Sequence, residues 1–565
     1  VSIVAPTSYG KSSLILSTIE GRKSENICII VPSKALIAQT KKRLLQSGLK
    51  NIDKIITHPE MYLESDKNIV AILTQERLLK LLKIDDKLKF DIVIVDEAHN
   101  LLEKDQRNIL LASSLSILEK RNSDVKFRFL TPFLVDSSNL SVRYTEYSIE
   151  SFNVTEYLKT ELIYICDFRK GKEPNLKLYD QFLNEFYSIN QTEFKSDVDL
   201  IIKNSSEKNI IYLNKPKDIE EFLSKFISQL NDVTSNRIDK ACKSIGEILD
   251  PNYLLIDSLR KGVVYHHGYV PDNIKLYIEE LYSELDDIKY IVTTSTLLEG
   301  VNIPAYTLFL LDYKKGTKKL SSSKFKNLLG RICRFNEIFS PKKGDLKYLE
   351  PKVYLIASSY IAKNANLETF IEEIMNVQKK DKDIPENVLL KTVDITGEND
   401  EAKKSADQFI ENFERGVIDN YKYSYAKTPI GKLCFENKIM EVDVVSNETE
   451  MQKKFESLNK TLVSDSVGLI KLFTELFLPF LDEKESKLSR LTKEKAREFY
   501  IMFLNWRIKN SSYREMISSF LNYWKSLEKR GLDTDVYVGS KWGDKTKFGG
   551  RQKLWTNIKQ KSHEE

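Results

Sequence analysis

At 565 residues and 65.5 kDa the chain exceeds what one hydrophobic core organises, so three or four domains are expected, and simple fibres and miniature scaffolds are excluded. With 41% apolar residues, 10% aromatics, 20 Gly and 14 Pro, it is neither disordered nor collagenous. The 87 Lys+Arg against 82 Asp+Glu leave a formal net charge of +5, which names no partner, so a nucleic-acid surface has to be local.

The first element expected is a strand at Ile3-Val4, which the chain enters directly from Val1, without an initiator Met or a signal-peptide n-region; residues upstream are expected. β-branched runs follow at 27–31, 69–73, 92–95 and 127–130, separated by amphipathic stretches at 12–19, 34–46 and 76–82. That alternation predicts a parallel sheet covered by helices on both faces, spanning 1–150. Polar 151–208, with a strand at 162–166, reads as a connector. The α/β rhythm resumes at 210–213, 219–230, 263–266, 274–285, 291–294, 307–311 and 353–356, which predicts a second α/β domain over 209–385. From 386 to 565 helical patterns dominate, especially at 489–507 and 513–527. The longest apolar stretch, 472–481, contains Glu475 and Pro479 and falls short of the ~20 residues a bilayer requires, so no membrane segment is expected. Five scattered cysteines, Cys28, Cys166, Cys242, Cys333 and Cys434, suit a reducing cytosol better than a disulfide framework or a CxxC zinc site.

Ala5-Pro6-Thr7-Ser8-Tyr9-Gly10-Lys11-Ser12 lies between a strand and a helix and reads as a phosphate-binding loop, with Ala5 where the general pattern has Gly. Such a loop aims backbone N–H groups and a helix dipole at a β-phosphate. Lys11 adds a point charge and the Ser12 hydroxyl reaches Mg²⁺, so Thr7, Ser8, Tyr9, Gly10, Lys11, Ser12 and Ser13 are the candidate ATP contacts. Asp96-Glu97-Ala98-His99 follows the apolar strand 92–95, at the end of a parallel strand where catalytic groups collect. Asp96 is positioned to hold Mg²⁺ through water and Glu97 to orient and deprotonate an attacking water. An acidic turn capping a helix is the plain alternative for the pair taken alone.

Together these motifs resemble the superfamily 2 helicases of the DExH type, with His99 as the last residue of the box, and the resemblance runs over about 1–334. Val31-Pro32-Ser33-Lys34-Ala35-Leu36 with Gln39 looks like motif Ia, and Leu73-Thr74-Gln75-Glu76-Arg77-Leu78 like motif Ib. Ser33 and Thr74 are then candidates for backbone contacts that position a strand without reading its sequence. Gly262-Val263-Val264-Tyr265-His266-His267-Gly268 and the run from Ile288 to Ala305 are similar to the Ski2-like helicases. That similarity implies Thr294 and Thr296 on the nucleic-acid track, and Gly300 and Asn302 near the nucleotide. His266-His267 as a zinc pair is rejected for want of Cys or carboxylate at ligand spacing. Asn327-Leu328-Leu329-Gly330-Arg331-Ile332-Cys333-Arg334 looks like motif VI, with Arg331 and Arg334 as arginine fingers.

The departures are Asn327 for Gln, Cys333 for Gly, both read as soft, and Thr131-Pro132-Phe133 where the family has Ser-Ala-Thr, which makes hydrolysis better supported than unwinding. Lys314, Lys315, Lys318 and Lys319 crowd a stretch, 302–327, that is short for a strand-separating hairpin. Trp506 and Trp524 read as core residues of amphipathic helices. The tail 541–561 interleaves Lys545, Lys547, Arg551, Lys553 and Lys559 with Phe548 and Trp555, as a single-strand surface would. Thr428-Pro429-Ile430-Gly431-Lys432-Leu433 resembles the start of a winged-helix or ratchet module.

The resemblance implies two tandem RecA-like P-loop domains followed by a mainly helical C-terminal region, using ATP and Mg²⁺ in the cytoplasm. It further implies 3′-to-5′ movement on a single strand or an overhang duplex, with DNA favoured over RNA. The phosphate loop, Thr-Pro-Phe and the helical C-terminus are also similar to bacterial antiphage-defence helicases of the Hachiman type, which implies a nuclease partner. An RNA helicase of processing or decay, and a nucleic-acid-dependent ATPase regulator without unwinding, are the alternatives. Direct nuclease activity is the weakest, because no second metal-ligand cluster is visible after Arg334.

Overall fold

The computed structural model describes residues 1–5, 10–21, 25–49, 52–132, 134–154, 158–171, 174–189, 194–295, 303–340, 344–375, 383–414, 416–418, 426–437, 439, 442–458, 463–481, 487–538, 543, 546 and 554–557. Its first sheet is wholly parallel: β1 (Ser2–Val4), β2 (Ile27–Ile30), β3 (Lys54–Ile56), β4 (Ile69–Leu73), β5 (Ile92–Asp96), β6 (Lys126–Thr131) and β7 (Ser151–Asn153), in the order β3-β4-β2-β5-β6-β1-β7. Every residue of β2 and β4 is buried, as strands covered by helices on both faces require. Two of the covering helices begin at side-chain caps: Ser33 caps Lys34–Gln46 and Thr74 caps Gln75–Ile84, each hydroxyl accepting a backbone N–H of its own helix.

The second sheet takes β8 (Leu162–Asp167), β9 (Lys177–Asp180), β10 (Glu185–Ser188), β11 (Asn209–Tyr212), β12 (Val263–His266), β13 (Tyr290–Thr293) and β14 (Thr307–Leu310). After a hairpin of β15 (Lys314–Lys315) and β16 (Lys318–Lys319), it adds β17 (Lys352–Ala357). Its order is β10-β9-β8-β17-β14-β11-β13-β12, parallel except for the β8-β9-β10 meander. The stretch read as a connector is thus divided between the sheets: β7 extends the first, while β8 to β10 and the helix Asp197–Asn204 belong to the second. Its polar composition goes with the sheet margins it forms: β7 and β10 are edge strands and largely exposed.

The chain after 386 likewise does more than form a separate helical region. Leu389, Leu390 and Val393, then Ala406, Phe409 and Ile410 of the helix Glu398–Phe413, join the core of the first sheet, and Arg121 pairs with Glu414 at 3.0 Å. A small core of Ile430, Cys434, Phe435, Val442, Met451 and Phe480 follows, under the helices Pro429–Glu436 and Val444–Ser457. The helices Ser466–Phe477, Glu494–Ile508 and Tyr513–Lys529 come next, where Trp506 and Trp524 are half-buried against Phe503 and Phe520. A last pair, β18 (Asp535–Tyr537) and β19 (Trp555–Asn557), sets Trp555 edge-on to Tyr537. Lys545, Lys547, Phe548, Arg551, Lys553 and Lys559 of the tail lie outside the described residues. Among the described residues no helix is long and apolar enough to cross a membrane.

Candidate active site between the two sheets

Sheet order places three sequence motifs side by side. β1 pairs with β6 and β6 with β5, so Ala5, Asp96 and Thr131 end neighbouring strands, and Ala5 N–H donates to the Thr131 carbonyl at 3.0 Å. Gly10 starts the helix Lys11–Glu20 with φ +86°, a left-handed turn that a glycine makes without steric cost. Lys11 folds back so that Nζ donates to the Ala5 carbonyl at 2.7 Å. Burial pushes its pKa down to about 8, against the raising charges of Glu97 and Asp96. Ser12 and Ser13 sit in the first turn of that helix, whereas Thr7, Ser8 and Tyr9 lie outside the described residues.

β5 ends at Asp96, and Glu97 then takes φ +53°, unusual for a side-chain-bearing residue, and opens the short helical turn Ala98–Leu102. Its N–H donates to Asp96 Oδ1 at 3.0 Å. The two carboxyls diverge in acidity. Burial, then the Glu97 charge, raises Asp96 to about 6. Burial also works against the charged form of Glu97, but His99, Lys11, Arg331 and Arg334 outweigh it and hold this carboxyl below the usual range. His99 Nδ1 lies 3.5 Å from both Glu97 Oε2 and Thr131 Oγ1, and burial lowers its basicity. Two adjacent acids separated in this way suit one charge-holding and one proton-accepting role.

The second sheet contributes the cations. Arg331 and Arg334, both buried, follow the helix Ser322–Leu329, and Arg331 Nη2 stands 3.7 Å from Glu97 Oε1 of the first sheet's domain. Burial and the Arg331 charge push Arg334 down to about 9, which leaves it a cation at neutral pH. Cys333 between them has φ +49°, its N–H bonded to the Ala305 carbonyl at 2.7 Å. The family's Gly at this position is explained by that backbone, so Cys for Gly is a strained exchange of about 1 kcal/mol rather than a soft one. Lys324 on the same helix pairs with Glu103 at 2.7 Å, just beyond the turn that carries His99.

Ser33 is half-buried and Thr74 buried, both engaged as helix caps, and Thr294 is buried with its N–H on the His266 carbonyl at 3.3 Å. Thr296, Gly300 and Asn302 lie outside the described residues. His266 Nε2 meets Glu279 Oε1 at 2.8 Å and His267 stacks on Tyr265, contacts internal to the second domain. Sequence reading missed Arg43, which lines a cleft with Gln39, Thr40 and Asp96 and whose basicity burial lowers while Asp96 supports it. The only linear signal for it is the i, i+4 spacing from Gln39 on one helix face.

Residues 1–131 match the family described as DEAD/DEAH box helicase. This part of the chain is a DEAD/DEAH box helicase domain. The chain is 26% identical over 356 residues to Anti-bacteriophage protein B of Escherichia coli strain K12, covering 60% of this chain and 44% of that protein. It is 23% identical over 351 residues to ATP-dependent DNA helicase Hel308 of Thermoplasma volcanium, covering 59% and 48%. It is 24% identical over 351 residues to ATP-dependent DNA helicase MER3 of Saccharomyces cerevisiae, covering 57% and 27%. The chain thus spans less than half the length of these relatives. These likenesses are in keeping with a superfamily 2, Ski2-like relationship.

Proposed function

We propose that the chain hydrolyses ATP between its two α/β domains and uses the cycle to move along, and separate, nucleic-acid strands. The observation that carries this reading is Arg331, which projects from the second domain to within 3.7 Å of Glu97 beside Lys11. An acid and a phosphate-binding lysine from one domain and an arginine from the other make hydrolysis conditional on closure. Asp96, raised to about 6 yet faced by Lys11 and Arg331, and the Ser12 position at the head of its helix fit a hydrated divalent cation. A bound Mg²⁺ supplies charge neutralisation on the β- and γ-phosphates. Glu97, kept ionised, takes the proton of the attacking water; His99 holds its orientation; Arg331 and Arg334 stabilise charge on the transferred phosphoryl group. Thr7, Ser8, Tyr9, Gly10, Lys11 and Ser13 are proposed nucleotide contacts, as are Gly300 and Asn302.

Single-stranded nucleic acid or an overhang duplex is the proposed track, with DNA preferred because Hel308 and MER3 are named as DNA helicases. Ser33, Thr74, Thr294 and Thr296 are proposed to lie along it, and movement is 3′-to-5′. The likeness to Anti-bacteriophage protein B supports a place in antiphage defence, with a nuclease partner and a cytoplasmic setting. The test is steady-state ATP hydrolysis with no nucleic acid, single-stranded DNA, single-stranded RNA, or duplex DNA bearing a 3′ overhang, at fixed salt. Stimulation greatest with overhang DNA is expected; stimulation by RNA alone moves the assignment to RNA processing, and indifference to all of them removes the track.

A further inference from the structure

Arg331 and Arg334 stand on the turn between two helices, Ser322–Leu329 and Phe335–Ile338, and within neither. Cys333, with φ +49°, reverses the backbone there, and its N–H meets the Ala305 carbonyl at 2.7 Å while Sγ meets the Tyr306 carbonyl at 3.4 Å. Ile332, between the two arginines, is fully buried, and a buried carbonyl outside a helix costs free energy unless a donor reaches it. That donor comes from far away in the chain: Lys159 Nζ bonds the Ile332 carbonyl at 3.1 Å. Lys159 precedes β8 by three residues, on backbone fixed to the second domain, with the Thr160 N–H on the Leu349 carbonyl at 3.0 Å and the Leu162 N–H on the Pro351 carbonyl at 2.9 Å. Its ammonium also lies 5.7 Å from the centroid of the Phe335 ring, immediately beyond Arg334. Burial lowers the basicity of Lys159; the charges of Glu161 and Glu337 support the cation, and that of Arg334 opposes it.

We propose that Lys159 is a positioning residue for hydrolysis: by holding the Ile332 carbonyl it sets the turn from which Arg331 reaches Glu97. The proposal rests on the hydrolytic reading above. Ile332 follows Arg331 directly and is two residues short of Arg334, so the plane of its peptide group governs where both guanidinium groups start. Arg331 Nη2 stands 3.7 Å from Glu97 Oε1, and a displacement of about 1 Å in a reacting set costs ~10²-fold in rate. A charge-assisted bond from an ammonium is roughly twice as strong as a neutral one, which suits a fastening that has to hold a strained turn. Burying an ammonium is unfavourable unless it is paired and hydrogen-bonded, and at Lys159 the carbonyl with Glu161 and Glu337 meets that requirement.

The test uses the full chain as wild type, Lys159→Met, which keeps an apolar stem without the donor, and Lys159→Arg, which keeps a cationic donor. Nucleotide affinity, Tm and single-turnover ATP hydrolysis are measured for each, and again for Arg331→Ala with and without Lys159→Met. Lys159→Met is expected to slow hydrolysis ~10- to 10²-fold with affinity within about threefold, and Lys159→Arg to stay within about threefold of wild type in both. In the Arg331→Ala background the further cost of Lys159→Met should shrink to about a third of its factor or less, because the arginine it places is gone. Hydrolysis by Lys159→Met within about threefold of wild type, beside a slow Arg331→Ala, overturns the positioning role alone. An undiminished cost in the Arg331→Ala background also overturns it. So does a joint fall in rate, affinity and Tm that Lys159→Arg does not restore, the mark of a merely structural residue. An Arg331→Ala that hydrolyses within about tenfold of wild type removes the hydrolytic reading itself, and the role of Lys159 with it.

Discussion

Glu97 holds a left-handed backbone and a depressed pKa at the end of a buried strand, a combination that burial alone opposes. Its surroundings of His99, Lys11, Arg331 and Arg334 keep it ionised, so, with Glu97 as the proposed base, Glu97→Gln should retain ATP affinity within a few-fold and lower kcat by at least ~10²-fold, as loss of a general base does. Equilibrium nucleotide binding beside single-turnover hydrolysis checks this, and an unchanged kcat removes Glu97 from the role. Glu337, three residues beyond Arg334, is raised to about 7, first by burial and against the lowering charge of Arg334. A carboxyl with a raised folded pKa keeps its proton where the unfolded chain, near 4.5, has lost it; the fold is therefore progressively penalised as pH rises from about 4.5 through 7. Glu337→Gln should accordingly melt above wild type at pH 8, with the gap closing toward pH 5; a constant gap across that range contradicts the assignment. The motif residues are legible in the sequence because each is a short linear pattern with one chemical task, as Lys11 and Asp96-Glu97 illustrate. Glu337, Arg43 and the strain at Cys333 are not, because their significance lies in what faces them and in a backbone angle.

Among the elements, the hairpin β15-β16 turns at Gly316, whose φ of +63° a side chain disfavours, and sets Lys314 opposite Lys319 and Lys315 opposite Lys318. Like charges across a strand pair repel, so the arrangement is costly unless an anion answers it. Asn214 fastens the turn, its side-chain amide nitrogen donating to the Gly316 carbonyl and its amide oxygen accepting the Gly316 N–H, and Lys319 has Glu373 only at 4.0 Å. Lys318→Glu with Lys319→Glu should weaken single-strand binding and flatten the slope of log affinity against log salt by roughly 0.7 for each phosphate that the hairpin no longer neutralises. Anisotropy titrations over a salt series measure this, and an unaltered slope places the hairpin off the track. The lysines themselves are evident in the sequence, but a hairpin of two-residue strands falls below any periodicity signal. The β-branched parallel strands are legible almost to the residue, 92–95 against Ile92–Asp96 for example, since both-face burial writes itself as an unbroken apolar run. The segment at 383–393 has no such signature: it is irregular backbone whose partners lie 240 or more residues away.

At the scale of the whole molecule, two sheets with separate cores carry the candidate residues, Lys11, Asp96, Glu97 and His99 with the first and Arg331 and Arg334 with the second, and the ion pairs described between them are Arg331 with Glu97, Lys324 with Glu103, and Lys42 with Glu280 at 4.0 Å. The Lys324–Glu103 and Lys42–Glu280 pairs are exposed and contribute ~0–1 kcal/mol each, which suits the opening and closing proposed for this interface, whereas Arg331–Glu97 is buried. The alternation of strands and helices foretells two α/β units, while the sharing of the first core with residues after 386 depends on packing that no local pattern encodes. On the proposed mechanism, hydrolysis waits for Arg331, delivered from the second domain. Nucleotide affinity and single-turnover ATP hydrolysis of Arg331→Ala, measured side by side with wild type, address it most directly. Affinity within about threefold and hydrolysis slowed ~10³-fold or more are expected, the range that arginine fingers command; hydrolysis within tenfold of wild type would show that the first domain completes the chemistry by itself.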